Sequence, residues 1–579
     1  VSMDVKEGDE VRAGQQLAIL EAMKMEHVVS SPCAARVVAV GAGAGQTVMF
    51  GEMLLALEPA DGGAEEQAKD AALDLDHIRD DLAEMEQRRA FGRDENRPDA
   101  VAKRHRQGKQ TARENIAQIC DPETFVEYGE LAIAAQRQRR PLDDLIRNTT
   151  GDGMLTGLGT VNGGAFGADR ARCAFAVGDY TVLAGTQGQR HHRKLDRILH
   201  VAEQWNLPVV LFAEGGGGRP GDTERATYAG ISNGTFSRFA GLSGQVPLVG
   251  VVSGRCFAGN AALLGCCDVI IADETSNIGM AGPAMIEGGG LGVYPPEAIG
   301  PIDVQTANGV VDIRVKDEAE ACRVVRQYLS YFQGDIAEWE APDQRRLRHV
   351  VPENRLRVYE VREALETIAD VGSMLELRRE FGVGIVTAFI RIEGKPFGVI
   401  ANNPKHLGGA IDADASDKAS RFMQLCDAFD IPLVSLCDSP GFMVGPEAEK
   451  TALVRHVCRM YVTGRSITVP LFTVVLRKFY GLGAMSMAGG GTYDNFLTVS
   501  WPTGEFGPMG LEGAVRLGFR RELDEVTDPE EKQRLYDRLL EEYREQGKAI
   551  SVASSLEIDA VIDPVKTREW ILAGLRSVK

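Results

Sequence analysis

Nowhere do the 579 residues run apolar for the roughly 18 positions that a membrane-spanning helix needs, and no secretory leader is visible at the start. Positive charge is in deficit. Against 83 Asp and Glu stand 64 Lys and Arg, a formal net charge of −19. Such a surface has no general attraction for nucleic acid or anionic lipid, and neither is expected as a partner. The ten cysteines are scattered and never spaced as Cys-x-x-Cys, which removes the usual zinc spacing. Most sit in apolar runs, where a reduced thiol packs as a small hydrophobe. The expectation is a cytoplasmic chain without disulfides or a bound metal. No glycine-rich turn is followed by Gly-Lys-Ser/Thr, which disfavours a phosphate-cradling NTPase. No catalytic triad can be assembled either. His191-His192, adjacent at a helix start, read as exposed polar residues, and Asp412 and Asp414 are too local for glycosidase chemistry. Whatever this chain does, it is expected to do without a side-chain base.

What is present begins with Glu21-Ala22-Met23-Lys24-Met25, set between the apolar runs Leu17–Leu20 and Val28–Val29. Turns favour Gly, Asn, Asp or Pro, and none is here. Around this stretch the sequence repeats: Val11, Gly14, Leu17, Leu20 and Glu21 recur 37 residues on as Val48, Gly51, Leu54, Leu57 and Glu58, with Gly8 and Gly45 in the same step. Two half-repeats of strand, turn and strand predict a small flattened β-barrel with Lys24 at the tip of a hairpin. Residues 59–70 are rich in Ala, Gly, Glu and Asp and read as a tether. The basic run from Arg88 to Arg113 reads as a solvated helix face.

From about residue 125 the pattern is α/β: Leu155–Val161, Ala174–Val177, Val209–Ala213, Leu248–Val252 and Val269–Ala272 read as buried strands, and Lys194–Trp205 as a helix between two of them. The order returns. Lys194, Arg197, Trp205, Pro208 and Glu214 match Lys418, Arg421, Phe429, Pro432 and Asp438 at a constant step of 224. Two copies of one fold follow from this. Each copy has a strand leading into a glycine-rich turn, Gly254–Ala262 in the first and Arg477–Met485 in the second. Backbone N–H groups at the start of a following helix lack partners and suit a developing oxyanion. Further glycine-rich turns, Glu214–Pro220 and Asp438–Phe442, also sit at matching places.

The half-repeat centred on Glu-Ala-Met-Lys-Met resembles the biotinyl carrier domain of biotin-dependent carboxylases. The remainder resembles the carboxyltransferase domains of biotin-dependent acyl-CoA carboxylases. The motifs that carry this are Gly-x-Cys-x-x-Gly at 254–259, Asp438-Ser-Pro-Gly-Phe442, Arg477-Lys-x-Tyr-Gly481, Trp501-Pro-Thr503 and Met509-Gly510. The domain order is similar to single-chain acyl-CoA carboxylases of the long-chain type. The resemblance implies a carrier at 1–60 truncated at its N-terminus, a linker at 61–73, and two crotonase-like β-β-α superhelix halves at 74–335 and 336–579. It implies a biotin carboxylase region, on this chain or another, using ATP, Mg and bicarbonate. It further implies a biotin protein ligase, and a dimer-based homo-oligomer, a homohexamer, with active sites between the first half of one subunit and the second half of another.

By the same resemblance Lys24 carries biotin, flanked by Met23 and Met25. Carboxybiotin then transfers its carboxyl group to the α-carbon of an acyl-CoA, giving a malonyl-type product of fatty acid metabolism. Family position assigns Ala258 and Gly259 to the acyl thioester and Leu482 and Gly483, beside Gly481, to biotin. The internal repeat would put the second pair at 481–482 instead. Arg219 and Lys478 are the basic residues nearest the right turns for CoA. Asn260 stands where a small residue is usual, and Met485 lies near the position that sorts acyl chains. A decarboxylase using the same transferase is the alternative, disfavoured by the fused carrier.

Overall fold

The computed structural model describes residues 1–60, 74–219, 221–224 and 233–578. The tether expected at 61–73 lies outside the described residues. The chain forms two compact units, Val1–Met85 and Glu86–Lys579.

In the first unit, Ser2–Met3, Gln16–Ala22 and Met25–Ser30 form one antiparallel sheet, and Glu10–Val11, Ala35–Val40 and Leu55–Pro59 another. Inward positions Val5, Val11, Leu17, Ala35 and Val37 make the core. The 37-residue repeat is a repeat of turns: Gly8 and Gly45 have φ of 95° and 80°, Gly14 and Gly51 of 78° and 91°. A Cβ at Gly8, Gly45 or Gly51 would meet nothing within 4 Å. Backbone conformation, and not crowding, is what asks for glycine there.

The second unit holds two larger sheets. In the first, the strands run Ile313–Val315, Val269–Asp273, Leu248–Val252, Val209–Phe212, Arg172–Gly178, Met154–Thr160 and Val126–Tyr128, parallel up to Arg172–Gly178 and antiparallel beyond. The second runs Leu375–Leu377, Ile385–Ile392, Lys395–Asn402, Leu433–Ser439, Leu471–Tyr480, Leu497–Ser500 and Ala560–Val561. Their registers superpose. Val209 pairs with Ala174 and Leu248, as Leu433 pairs with Gly398 and Leu471. The steps are 224 and 223, those seen in the sequence. A short parallel ladder, Arg255–Phe257 with Asn277–Gly279, lies beside the first sheet. Its counterpart is Lys478–Tyr480 with Glu505–Gly507, where the second half runs one unbroken strand through both ladders.

The helices that cover the sheets repeat as well. Gln189–Trp205 and Ala413–Ala428 each bury one lysine, Lys194 and Lys418. Each ammonium is satisfied by backbone carbonyls: Lys194 Nζ donates to Met154 O at 2.5 Å, and Lys418 Nζ to Arg378 O at 2.7 Å and Phe381 O at 2.9 Å. Burial lowers both ammonium groups, to about 8 and about 7. His191, expected on the surface, is buried on the same helix, and burial pushes it down to about 3. The hydrophobic face of a 17-residue helix turned inward, and this histidine went with it.

Candidate active site

The hairpin Gln16–Ala22 to Met25–Ser30 closes through only two residues, Met23 and Lys24, because Ala22 pairs directly with Met25. Their φ values are 52° and 65°. A two-residue hairpin of this hand needs positive φ at both central positions, which Asn-Gly supplies without strain. Here two long side chains adopt it, at a cost of about 1–3 kcal/mol each. Met23 is 99% exposed, and Lys24 is exposed beside it. No packing accounts for the choice. An ammonium group held clear of the barrel on a strained tip is accessible to covalent modification, and the residues here fit a biotinyl amide.

In the second unit the strand Val209–Phe212 leads through Glu214 into Gly215–Gly218. This turn faces the one at Ala258-Gly259, where Ala258 takes φ 53° and ψ −119° and the helix Gly259–Leu264 begins. The Ala258 N–H donates to Gly279 O at 3.0 Å. It is therefore committed to the small ladder and not free for an oxyanion, which corrects the pairing of Ala258 with Gly259. The N–H groups of Gly259 and Gly217 have no partner among the described residues. A Cβ on Gly217 would lie 2.7 Å from Ala258 Cβ and 3.4 Å from Gly259 N. These two amides are neighbours, and only glycine at 217 leaves the space over them open. Asn260, buried, reaches back beneath the same turn: its Nδ2 donates to Gly216 O at 2.7 Å and Gly185 O at 3.2 Å, and its Oδ1 accepts from Gln187 Nε2 at 2.9 Å.

Glu214 sits below the turn and accepts from Arg104 Nη1 at 2.9 Å; the same guanidinium reaches Glu318 at 3.3 Å. Lys109 Nζ donates to Ser253 at 2.5 Å and Asp273 at 2.8 Å. The basic run at 88–113 is thus not a solvated face throughout. Arg104 and Lys109 are buried, each against carboxylates that arrive from more than a hundred residues away. Burial raises Glu214 to about 7, opposed by Arg104. An acid raised in the folded state stabilises it fully below the unfolded value and loses that contribution as pH climbs through the folded one. Glu214→Gln, which cannot ionise, is therefore expected to gain in melting temperature relative to the wild type between about pH 5 and pH 8. Paired melts at both ends of that window check it, and a difference that stays constant contradicts it.

Arg219 is one of the two basic residues expected at CoA. It is buried instead, donating to Asp152 Oδ1 at 2.6 Å, Asp222 Oδ1 at 3.3 Å and Thr186 O at 2.8 Å. Lys478 is likewise engaged: its Nζ donates to Asp438 Oδ1 at 2.5 Å. Both cations are tied to carboxylates at the turns. Asp438, at the position equivalent to Glu214, also accepts from Tyr359 at 2.9 Å and from Arg477 Nε at 3.1 Å. Removing it would strand a buried guanidinium. Asp438→Ala is expected to lose about 3–5 kcal/mol of stability, measured by urea unfolding, whereas a loss below about 1 kcal/mol would mean that the network is dispensable.

The second glycine turn matches the first with the positive φ of Ala258 taken by Gly481, at 56°, a step of 223. Leu482 then corresponds to Gly259, and Gly483 to Asn260. The N–H groups of Leu482 and Gly483 open the helix Gly481–Met487 and have no partner among the described residues. Leu482 O accepts from Tyr461 at 2.6 Å, which pins the turn. A Cβ on Gly483 would fall 2.6 Å from Phe442 N, so the Asp438–Phe442 turn packs flat against it, as Gly217 packs against Ala258. Beside this turn opens a cleft of about 440 Å³, with Gly481, Met485, Phe479, Phe506 and Leu511 in its wall.

A biotin-requiring enzyme domain model matches residues 1–57, and a carboxyl transferase domain model matches residues 103–578. The chain belongs to the carboxyl transferase family. Within it, the methylmalonyl-CoA carboxyltransferase 12S subunit of Propionibacterium freudenreichii subsp. shermanii is 32% identical over 507 residues, covering 85% of this chain and 93% of that protein. The propionyl-CoA carboxylase beta chain of Saccharopolyspora erythraea is 32% identical over 501 residues, covering 82% and 89%. Among solved structures, a single-chain, multi-domain long-chain acyl-CoA carboxylase matches with a TM-score of 0.82 and 57% identity over 99% of this chain. This chain spans 55% of that one. The transcarboxylase 12S hexamer, solved with methylmalonyl-CoA bound, matches with a TM-score of 0.74 and 29% identity, covering 87% of this chain and 96% of that one. The carboxyl transferase fold here is thus the crotonase-like one, joined to a biotinyl module, and the protein is an enzyme.

The turns are also tied to neighbouring segments at matching places. Gln187 pairs with Gly218 as Ile411 pairs with Phe442, at the same step of 224. The sequence signal for them is the same step of 224 relating Gly217 to Gly441.

Proposed function

We propose that this chain moves a carboxyl group between biotin on Lys24 and the α-carbon of an acyl-CoA, as the carrier and transferase parts of an acyl-CoA carboxylase of the long-chain type. The observation that carries this reading is the turn presented twice, at Ala258 and Gly481, in a chain that also holds Lys24 on a strained and exposed tip. When bound, biotin supplies the carried carboxyl group and the base that the sequence lacks. The protein supplies binding and orientation. Gly217 and Gly259 direct two N–H groups at the thioester oxygen, which gains negative charge when the α-proton leaves. Leu482 and Gly483 direct a second pair at the ureido oxygen of biotin. Ala258 acts as the bend that aims Gly259 rather than as a donor. Asp438 and Glu214, each tied to arginine, brace the strand ends from which the turns spring. Met485 and the apolar wall around it fit the hydrocarbon part of a substrate.

The remaining assignments follow. A biotin carboxylase region uses ATP, Mg and bicarbonate to load the carrier, and a biotin protein ligase recognises Met23-Lys24-Met25. The transferase works as a homodimer-based hexamer, with each site completed by the facing half of another copy. Residues 1–60 serve as the carrier, 61–73 as its tether, and 74–335 and 336–579 as the transferase halves. The setting is cytoplasmic, and the cysteines among the described residues are all free thiols. No described helix is long and apolar enough to cross a membrane. The test is ATP- and bicarbonate-dependent carboxylation of acyl-CoAs of increasing length by the full-length protein. Activity rising with chain length supports the reading. Activity confined to the decarboxylating direction favours the alternative.

A further inference from the structure

Asn260 is anomalous. It sits beneath the first glycine turn, at the place where the second half has Gly483, and it is almost wholly buried, at 4% exposure. Its carboxamide is spent on backbone. Nδ2 faces the carbonyls of Gly216 at 2.7 Å, Gly185 at 3.2 Å and, at the limit, Glu214 at 3.5 Å. Three carbonyl oxygens cannot face another oxygen, so the amide orientation is fixed chemically. Gln187 Nε2 holds the other end at 2.9 Å. Gln187 is in turn seated against Gly259, whose missing Cβ makes room for its Oε1.

A trans peptide points its C=O and N–H in opposite directions. Gripping Gly216 O therefore sets the direction of the Gly217 N–H, which projects from the far side of the same plane, next to Gly259 N. A glycine run such as Gly215–Gly218 has no side chains of its own to hold a peptide plane, and glycine backbones are the loosest of all. The second half holds the matching turn from other positions: the Gly441 N–H donates to Ser439 Oγ at 3.2 Å, and Asn402 donates to Gly409 O at 3.4 Å and accepts from the Asp438 N–H at 3.1 Å. Gly483 stands at the place of Asn260, and there the peptide is pressed directly by Gly441 and Phe442.

Resting on the function proposed above, we propose that Asn260 is a positioning residue for carboxyl transfer. Oriented by Gln187, it holds the Gly216–Gly217 peptide so that the Gly217 and Gly259 N–H groups converge on the thioester oxygen of the acyl-CoA. It touches neither substrate nor cofactor. Its effect is expected on the transition state far more than on ground-state CoA binding.

The test compares biotinylated full-length wild type, Asn260→Ala and Asn260→Asp. The readouts are kcat and KM for acyl-CoA, and the affinities for the acyl-CoA and for a CoA thioether bearing a nitronate, a planar anion that mimics the charged transition state. For Asn260→Ala a fall in kcat of about 10–10² is expected, with KM within about threefold. Nitronate affinity should fall by about tenfold or more, with acyl-CoA affinity unchanged. Asn260→Asp, which turns a carboxylate towards carbonyl oxygens, should be worse than alanine. Should Asn260→Ala give no folded protein, Gln187→Leu carries the same readouts, because it frees the carboxamide without removing it. Wild-type kcat in the folded variant, or equal loss of nitronate and acyl-CoA binding, overturns the clamp. A wild type that carboxylates no acyl-CoA overturns the function itself, and the two failures are distinct.

Discussion

Lys24→Arg is expected to abolish biotin attachment and, with it, all carboxyl transfer. The substitution keeps the charge and nearly the length, and the side chain projects from an exposed tip with no packing to lose. The left-handed turn set by Met23 and Lys24 is equally strained with arginine in it. Folding of the barrel should be untouched, since its core is Val5, Val11, Leu17, Ala35 and Val37. What changes is nucleophilicity. A lysine amine can lose its proton and acylate, whereas a guanidinium stays protonated. Intact mass should lack the biotinyl adduct, and transfer should drop to the level of a chain without biotin. A biotinylated or active Lys24→Arg chain would place the cofactor elsewhere.

Gly217→Ala should be the most damaging change within the transferase turns. The added methyl lies 2.7 Å from Ala258 Cβ and 3.4 Å from Gly259 N. It both forces the turns apart and covers an amide. Loss of one oxyanion donor typically costs about 10²–10³ in rate, and here two donors are disturbed. The loss should appear in kcat, with the biotin content near that of the wild type. Gly483→Ala, whose Cβ would strike the backbone of Gly441 and Phe442 at 2.5–2.7 Å, should impair the second turn and lower stability as well. A Gly217→Ala enzyme with the wild-type rate would remove this peptide from the chemistry.

Much of this arrangement is legible in the sequence. Repeats at 37 and at 224 residues survive as turn conformations and as strand registers. Alternation and periodicity report on which face is buried, and those features are local. What stayed hidden was partner identity. Arg104, Lys109, Arg219 and Lys478 look alike as sequence, as solvated or ligand-seeking cations. Each proves to be matched to a buried carboxylate, and in all four pairs the acid lies 40 residues or more away along the chain. Asn260 reads as a departure from pattern, but its purpose depends on three carbonyls brought together by folding. The difference between Ala258 and Gly217 as donor turns on one hydrogen bond, from Ala258 N to Gly279 O, which no spacing rule foretells.

The most direct measurement gives the biotinylated full-length chain a carboxylated acyl-CoA labelled in its free carboxyl group. Label should appear on the polypeptide in an acid-labile form, one per chain, and only when Lys24 carries biotin. It should return to added acyl-CoA at the same α-carbon. Label that stays entirely on CoA, or that reaches the Lys24→Arg chain equally, would contradict the account.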